Sequence, residues 1–206
     1  MLKTLSKLAL LLLGVCLLSA APVFADSTTT FTFIGTLGSI GTTDTFTAGS
    51  LSLVATGYSA PGTTADMWAK NLGPNEAGIG LTADSQHEIS GTQFIQLDLT
   101  NILAAHPSSI VLSVQSIQAG ENYNVWASNS AGMNLTQLGM NETSATFNVL
   151  LPPGDNFVSL VAGSGNILLD DVDVTTPTPE PSSAGLLLFG LAALVGAGTL
   201  GKKLIP

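Results

Sequence analysis

The sequence has few basic residues, and most of those it has lie at its ends. Five lysines and arginines stand against fourteen acidic residues. Four of the five lie near the termini, so Lys70 is the sole basic residue among residues 26–176. That region has thirteen acidic residues, which gives a net charge near −12. Nucleic acid is excluded as a partner because neutralising its phosphates needs a basic surface. Docking on anionic lipid headgroups is disfavoured for the same reason.

Cysteine is almost absent as well. Cys16, the single cysteine, lies in the apolar start of the chain. Val15 stands before it where a lipidated cysteine would follow a small residue, so we interpret Cys16 as part of an apolar targeting segment. The remaining sequence therefore has no disulfide, no thiolate nucleophile and no cysteine metal ligand.

Recognisable catalytic patterns are missing. No Gly-x-Ser-x-Gly nucleophile motif accompanies His87 or His106, and the two histidines lack zinc-site spacing. The sequence thus predicts no catalytic residue and favours a non-enzymatic protein. The alternative is a secreted glycan hydrolase that uses two of Glu76, Glu88 and Asp98. Paired carboxylates of that kind lie roughly 5 to 9.5 Å apart across a cleft.

The N-terminal region has the pattern of a secretory signal peptide. Two lysines precede an apolar run at residues 8–18, and a Val-Phe-Ala triplet ends at Ala25. Cleavage is predicted between Ala25 and Asp26. An uncleaved signal anchor is the alternative, but the apolar run is short and Pro22 interrupts it before the triplet.

The C-terminal region has the pattern of a membrane anchor. A linker at residues 175–183 contains Pro179, Glu180 and Pro181, and residues 184–201 are apolar and uncharged. At about 1.5 Å per residue, such a run is just long enough to cross a bilayer as a helix. The two lysines that follow favour the cytoplasmic side. Residues 184–203 are therefore predicted to form a transmembrane helix with its basic end, and the upstream domain to face outward.

Between these ends, residues 26–174 form one predicted domain. Helical periodicity is nearly absent, and short runs rich in Thr, Val, Ile and Phe alternate with turn signals. One apolar and one polar face per strand indicates an all-β, antiparallel β-sandwich, jelly-roll-like in arrangement. The predicted strands are Thr29–Ile34, Thr45–Thr56, Met67–Lys70, Ile79–Leu81, Gln93–Leu99, Ser109–Ile117, Tyr123–Ser128, Ala145–Leu150, Asn156–Val161 and Ile167–Val174.

The C-terminal tail resembles the PEP-CTERM sorting signal of Gram-negative exported proteins. The resemblance rests on the Pro-Glu-Pro motif at Pro179, Glu180 and Pro181, the apolar segment and the basic end. It implies that the chain is the substrate of an exosortase and of signal peptidase, held in the membrane by its C-terminal helix. The family's tails often end in an arginine cluster, whereas this one has two lysines. A GPI-attachment signal and an ordinary single-pass anchor are the alternatives.

Part of the exported domain also resembles a domain that recurs in PEP-CTERM proteins. The resemblance covers most of residues 66–174 and implies an extracytoplasmic sandwich. The segments that carry this resemblance are residues 68–73, 75–81, 87–89, 94–99, 120–129 and 165–170. The resemblance leaves the function of the sandwich open. The sorting tail and the missing catalytic pattern favour an exported surface or matrix protein, as in a biofilm, whose sandwich adheres to exopolysaccharide or to neighbours.

Two kinds of ligand site are candidates. Acidic residues near two predicted loop regions could supply oxygen ligands to Ca²⁺, and the alternative is a solvated acidic surface. Exposed aromatic rings near amides could stack on sugar rings, and the alternative is that they anchor the core. Tyr123 and Trp126 point to opposite faces of one strand, so at most one of them belongs to the core. The calcium candidates are Glu76, Asp84, Glu88, Asp171 and Asp173, and the glycan candidates are Trp68, Tyr123 and Trp126.

Overall fold

Two antiparallel β-sheets pack face to face as a sandwich, which confirms the predicted all-β class. The computed structural model describes residues 24–179. The predicted signal peptide up to residue 23, and the tail from Glu180 onward, lie outside the described residues. Ser27–Thr176 form one compact unit. Ala25 and Thr178 belong to a second unit, in which the hydroxyl of Thr178 donates a hydrogen bond to the carbonyl oxygen of Ala25 (2.7 Å).

The described residues contain fifteen strands and one short helix, joined by turns and loops. The strands are β1 (Phe24–Thr32), β2 (Gly38–Gly41), β3 (Thr43–Ala48), β4 (Leu51–Ala60), β5 (Thr63–Thr64), β6 (Met67–Asn71), β7 (Ala77–Leu81), β8 (Ile89–Ser90), β9 (Phe94–Asp98), β10 (Ser109–Gln115), β11 (Asn122–Ser128), β12 (Thr136–Glu142), β13 (Thr146–Asn148), β14 (Phe157–Ser164) and β15 (Asn166–Pro179). The helix, α1 (Thr100–Leu103), follows β9.

The first sheet, sheet A, has the strand order β13-β10-β15-β7-β6-β2, and β1 and β8 also pair with β15. The second sheet, sheet B, has the order β12-β11-β14-β9-β4-β3, and β5 pairs with β4. Neighbours in each sheet are seldom consecutive in the chain, because most connections cross from one sheet to the other. The predicted site residues are therefore distributed over both sheets and the loops that join the strands.

The core lies between the inner faces of the two sheets. In β10 the residues alternate strictly between buried and half-buried, as the sequence predicts. Ile79 and Leu112 of sheet A and Leu53 and Leu97 of sheet B are among its fully buried members. Removing such side chains from water contributes roughly 1.5–3 kcal/mol each, and this burial is the main source of stability for a domain with no disulfide.

The predicted strand Thr45–Thr56 is wrong as a single strand, since it is a hairpin. β3 and β4 pair in an unbroken register from Thr43 with Thr56 to Ala48 with Leu51. The turn between them contains Gly49 at a φ of 59°, a conformation that glycine adopts without steric cost. The apolar alternation changes phase at this turn, from Phe46 and Ala48 to Leu51 and Leu53, and that change marks the hairpin.

The predicted polar face of β9 is also not exposed. Residues 94–97 of this strand are all buried. The loop that precedes β12 covers the outer face, and the Gln96 side chain holds it there. Its Nε2 donates to the Met133 carbonyl oxygen (3.0 Å) and to Ser159 Oγ (3.0 Å), and its Oε1 accepts from the Gly132 N–H (2.6 Å). Gln96 can be buried because its polar atoms are hydrogen-bonded. The alternation of polar and apolar residues does not by itself reveal that such a polar side chain is covered.

Candidate functional site

A cleft of about 430 Å³ lies on the outer face of sheet A. Trp68 and Lys70 point into it from β6, where each alternates with an inward-facing core residue. The β6–β7 hairpin adds Leu72 and Glu76. The loop between β7 and β8 adds the rest of the lining, Ser85, Gln86 and His87. We call this the Trp68 cleft.

The loop between β7 and β8 lies directly against the sheet because Gly80 has no side chain. A Cβ atom on Gly80 would lie 2.2 Å from the carbonyl oxygen of His87, closer than any real contact. Asp84 orders the same loop from within. Its Oδ1 accepts a hydrogen bond from the Gln86 N–H (2.8 Å), and its Oδ2 accepts one from Ser90 Oγ (3.2 Å). The position of His87 in the cleft is thus fixed by backbone packing and by turn hydrogen bonds.

The floor of the cleft is an ion-pair cluster around Lys70. Its Nζ lies 2.6 Å from Glu88 Oε1 and 3.4 Å from Glu76 Oε2. The Lys70 and Glu88 side chains are 10% and 2% exposed, whereas Glu76 is 41% exposed. Ser116 Oγ donates a second hydrogen bond to Glu88 Oε1 (3.1 Å). The buried carboxylate therefore has two donors, which offsets the cost of removing its charge from water.

Lys70 stays protonated in this setting. Burial alone would lower the pKa of Lys70, but the hydrogen bond and charge of Glu88, together with Glu76, outweigh it and raise the pKa above 10.5. A protonated lysine cannot accept a proton from a nucleophile such as Ser116, although the serine lies in the same cluster. The cluster therefore keeps the ammonium group and the two carboxylates in fixed positions.

An aromatic pair forms one wall of the cleft. The Trp68 indole and the His87 imidazole are stacked, with ring centroids 4.1 Å apart and planes inclined by 18°. His87 has a φ of 60°, in the left-handed region that non-glycine residues seldom adopt. Its Nδ1 is buried without a hydrogen-bond partner among the described residues. At a centroid distance of 4.1 Å the imidazole covers one face of the indole and restricts rotation of the Trp68 side chain.

A second cleft, of about 600 Å³, meets the first at Glu76, which lines both. We call it the Gln115 cleft. Gln115 bridges two strands there, because its Oε1 accepts from the Ala77 N–H (3.0 Å) and its Nε2 donates to Asp170. Burial raises the pKa of Asp170, the Gln115 hydrogen bond opposes this, and the charge of Asp171 adds to it. The other lining residues are mostly polar: Asn75, Val114, Ser116, Ile117, Gln118, Thr143 and Ala145.

The predicted calcium ligands do not converge. Glu76 and Glu88 are paired with Lys70, and Asp84 orders its own loop. Asp171 and Asp173 lie on β15, where Asp173 accepts a hydrogen bond from Thr30 Oγ1. Within residues 24–179, no three His, Cys, Asp or Glu side chains are placed to hold a metal ion. The structure therefore does not bring these five residues together as one site, and Lys70 Nζ lies close to both Glu76 and Glu88.

The three glycan candidates are separated. Trp68 lines the cleft on sheet A. Trp126 lies half-buried on the outer face of sheet B, opposite Gln137 and Ser159 in the neighbouring strands. Tyr123 is wrong as a sugar contact, because it is fully buried in the core and donates its hydroxyl hydrogen to the Ser144 carbonyl oxygen (2.8 Å). Burial also raises the pKa of Tyr123 to about 12, with a contribution from Glu142.

Of the three carboxylates considered for hydrolysis, two lie together and the third lies on the other sheet. Glu76 and Glu88 lie together around Lys70. Asp98 is on sheet B, where its Oδ1 accepts a hydrogen bond from the Thr100 N–H at the start of α1 (2.9 Å). Glu88 is buried, and one of its oxygens already accepts two hydrogen bonds.

The chain was compared with protein-family models, with curated proteins and with solved structures, and none of these comparisons gave a match. Among the described residues, no helix has the length and apolar character needed to cross a bilayer. The predicted transmembrane helix, residues 184–203, lies outside the described residues.

The sequence did not predict Lys70 and His87 as members of a binding site, although both line the Trp68 cleft. Lys70 had a detectable signal, because a single cation among thirteen acidic residues must have carboxylate neighbours. Its i, i+2 spacing from Trp68 also places both side chains on one face of a strand. His87 had no such signal, because its stacking depends on a left-handed backbone and on the close approach that Gly80 permits.

Proposed function

We propose that residues 26–174 are a non-enzymatic glycan-binding domain of an exported cell-surface or matrix protein. The observation that carries this proposal is the Trp68 cleft. It presents an indole held by a stacked imidazole, next to hydroxyl, amide and carboxylate groups. Sugar rings offer an apolar C–H face to an aromatic ring and hydroxyl groups to polar neighbours, so this combination suits a glycan.

The composition of the cleft favours recognition of an uncharged or cationic glycan. Ser85 and Gln86 are exposed at its rim, and Leu72 is 73% exposed beside them. Lys70, the sole cation of the domain, is neutralised by two carboxylates. An anionic polysaccharide would meet uncompensated negative charge from a domain with a net charge near −12. Exopolysaccharide without acidic groups is therefore the partner that we propose.

Export and sorting form the second part of the proposal. The signal peptide at residues 1–25 and the Pro-Glu-Pro tail at residues 175–203 make this chain a substrate of signal peptidase and of an exosortase-type system. The domain would face outward and then be retained at the surface or released into a biofilm matrix. The sequence features at both ends support this topology, and the acidic, cysteine-free domain is compatible with it.

The repeated crossing of the chain between the two sheets supports a more specific fold assignment. β2 and β3 are adjacent in sequence but lie in different sheets, as do β9 with β10, β10 with β11, and β14 with β15. We interpret this pattern as jelly-roll-like, a double-sheet arrangement found in many carbohydrate-binding domains.

The binding proposal is tested by comparing two tryptophans. The full chain in detergent is titrated with a neutral glucan hexamer by calorimetry, and the same is done with Trp68→Ala and with Trp126→Ala as the matched control. We expect Trp68→Ala to weaken binding by about tenfold or more, equivalent to ~1.4 kcal/mol, and Trp126→Ala to leave it unchanged. Equal affinities for all three proteins would contradict the assignment of the cleft.

The non-enzymatic part is tested on the same protein. Incubation with the glucan should release no new reducing ends above a buffer control. Turnover that Glu76→Gln abolishes would overturn this part of the proposal and support the hydrolase alternative.

The sorting part is tested by the intact mass of the protein from its exporting host, with and without a functional exosortase. A mass that ends near Pro181 in the first case alone is the expected result.

A further inference from the structure

Glu76 differs from the other charged groups of the site in being available to a ligand. Its Oε2 lies 3.4 Å from Lys70 Nζ, a looser contact than the 2.6 Å between Lys70 and Glu88. The Glu76 side chain is also 41% exposed, whereas that of Glu88 is 2% exposed. Because Glu88 and Ser116 complete the buried part of the cluster, a ligand could bind Glu76 without exposing the Lys70–Glu88 pair to water.

The position of Glu76 matters as much as its charge. It lines both the Trp68 cleft and the Gln115 cleft, so it lies where the two meet. On one side is the stacked indole of Trp68, and on the other are the side chains of Gln115, Gln118 and Thr143. A chain molecule that packs one ring on Trp68 and continues into the Gln115 cleft must pass Glu76.

The charge balance decides what such a chain should carry at that point. Two carboxylates and one ammonium group leave the site with one excess negative charge. A cationic group on the ligand would balance it, whereas an acidic group would be repelled. A charge-assisted hydrogen bond to a carboxylate is roughly twice as strong as one between neutral groups.

We propose that the site binds a polysaccharide chain bearing free amino groups, with one protonated amine on Glu76 between the two clefts. This inference rests on the proposed glycan-binding function and narrows it to an amino-sugar polymer. Trp68 supplies the stacking surface, Glu76 recognises the amine, and the Gln115 cleft accommodates the next units of the chain.

The test uses two ligands that differ in the amine alone. The full chain in detergent is titrated with a glucosamine hexamer and with an N-acetylglucosamine hexamer, at mildly acidic pH where the free amines are protonated. We expect the glucosamine hexamer to bind about tenfold more tightly or better, equivalent to ~1.4 kcal/mol. Glu76→Gln should remove this preference, so that this variant binds the two hexamers with similar affinity.

Attraction of any polycation to an acidic protein must be separated from binding at Glu76. Asp44→Asn is the matched control, since it removes one charge from sheet B and the new amide oxygen can still accept the Thr45 N–H bond (2.8 Å). The preference should persist in Asp44→Asn and at ~0.15 M salt, where the Debye length is about 8 Å. A preference that survives Glu76→Gln, or that Asp44→Asn reduces equally, overturns the inference.

The remaining outcomes distinguish this inference from the function on which it rests. If both hexamers bind equally and Trp68→Ala weakens both, the amine assignment fails and the glycan-binding function stands. If Trp68→Ala changes neither affinity, the glycan-binding function itself fails. A glucosamine dimer, which fits one cleft, should bind at least about tenfold more weakly than the hexamer, and equal affinity would contradict the use of both clefts.

Discussion

Replacing Lys70 with methionine removes the partner of a buried carboxylate while keeping a side chain of similar length. Glu88 is 2% exposed, and its Oε1 would retain the Ser116 hydrogen bond alone. Breaking a buried ion pair by removing one partner costs about 3–5 kcal/mol, because an uncompensated charge is left inside the protein. For a domain of this size, about 1 kcal/mol corresponds to 2–4 °C in Tm, so Lys70→Met should lower Tm by about 10 °C.

A double-mutant cycle tests whether the predicted loss of stability comes from the unpaired charge of Glu88. Urea unfolding at neutral pH is measured for Lys70→Met, for Glu88→Gln and for the two combined. A glutamine at position 88 is uncharged and can still accept the hydrogen bond from Ser116. The double variant should therefore regain most of the stability that Lys70→Met loses. Glu76→Gln should cost less than about 1 kcal/mol, since that carboxylate is partly exposed. A loss below about 1 kcal/mol for Lys70→Met would refute our description of the pair as buried.

Three further predictions concern other parts of the domain. Gly80→Ala should lower the free energy of unfolding by about 1–3 kcal/mol and weaken hexamer binding, because its Cβ displaces the His87 backbone; unfolding titrations and calorimetry measure both. Tyr123→Phe should cost about 0.5–1.5 kcal/mol at neutral pH, through loss of the hydrogen bond to Ser144. The raised pKa of Tyr123 means that its contribution to stability falls as pH rises from 10 to about 12, so melting curves of Tyr123→Phe should show a smaller alkaline loss. Asp170→Asn should raise Tm at neutral pH, where the buried charge is unfavourable, and this gain should shrink at acidic pH, where Asp170 is protonated.

Period-two alternation predicted the strands that have one face in the core. β10 follows it throughout and β11 follows it as far as Ala127, and Tyr123 and Trp126 point to opposite faces as expected. It did not predict β12, whose seven residues are mostly exposed and whose register with β11 is interrupted twice. Such a strand has almost no apolar signal. Its pairing is determined by its neighbour in space, which the local sequence does not record.

The candidate site was harder to predict because its parts are far apart in sequence. Glu76 and Glu88 could be named as candidates, but the prediction gave them a calcium ion where the structure has Lys70. Composition identified a single cation without locating its partners. Ser116 and Glu88 are 28 residues apart in sequence and meet because the strands next to them, β10 and β8, both pair with β15. The close approach at Gly80 depends on a backbone contact that one sequence cannot show.

The first and last strands of the sandwich are neighbours, and this has a mechanical consequence. Thr28 contacts Thr175 and Thr30 contacts Asp173, so β1 and β15 run antiparallel side by side. β15 is also hydrogen-bonded to β10 along most of its length. A pull on the chain beyond Thr176 would therefore load two ladders in shear at once, and many hydrogen bonds would have to break together. A domain tethered by this strand, with flow or a neighbouring cell pulling on its ligand, would resist unravelling from the tethered end.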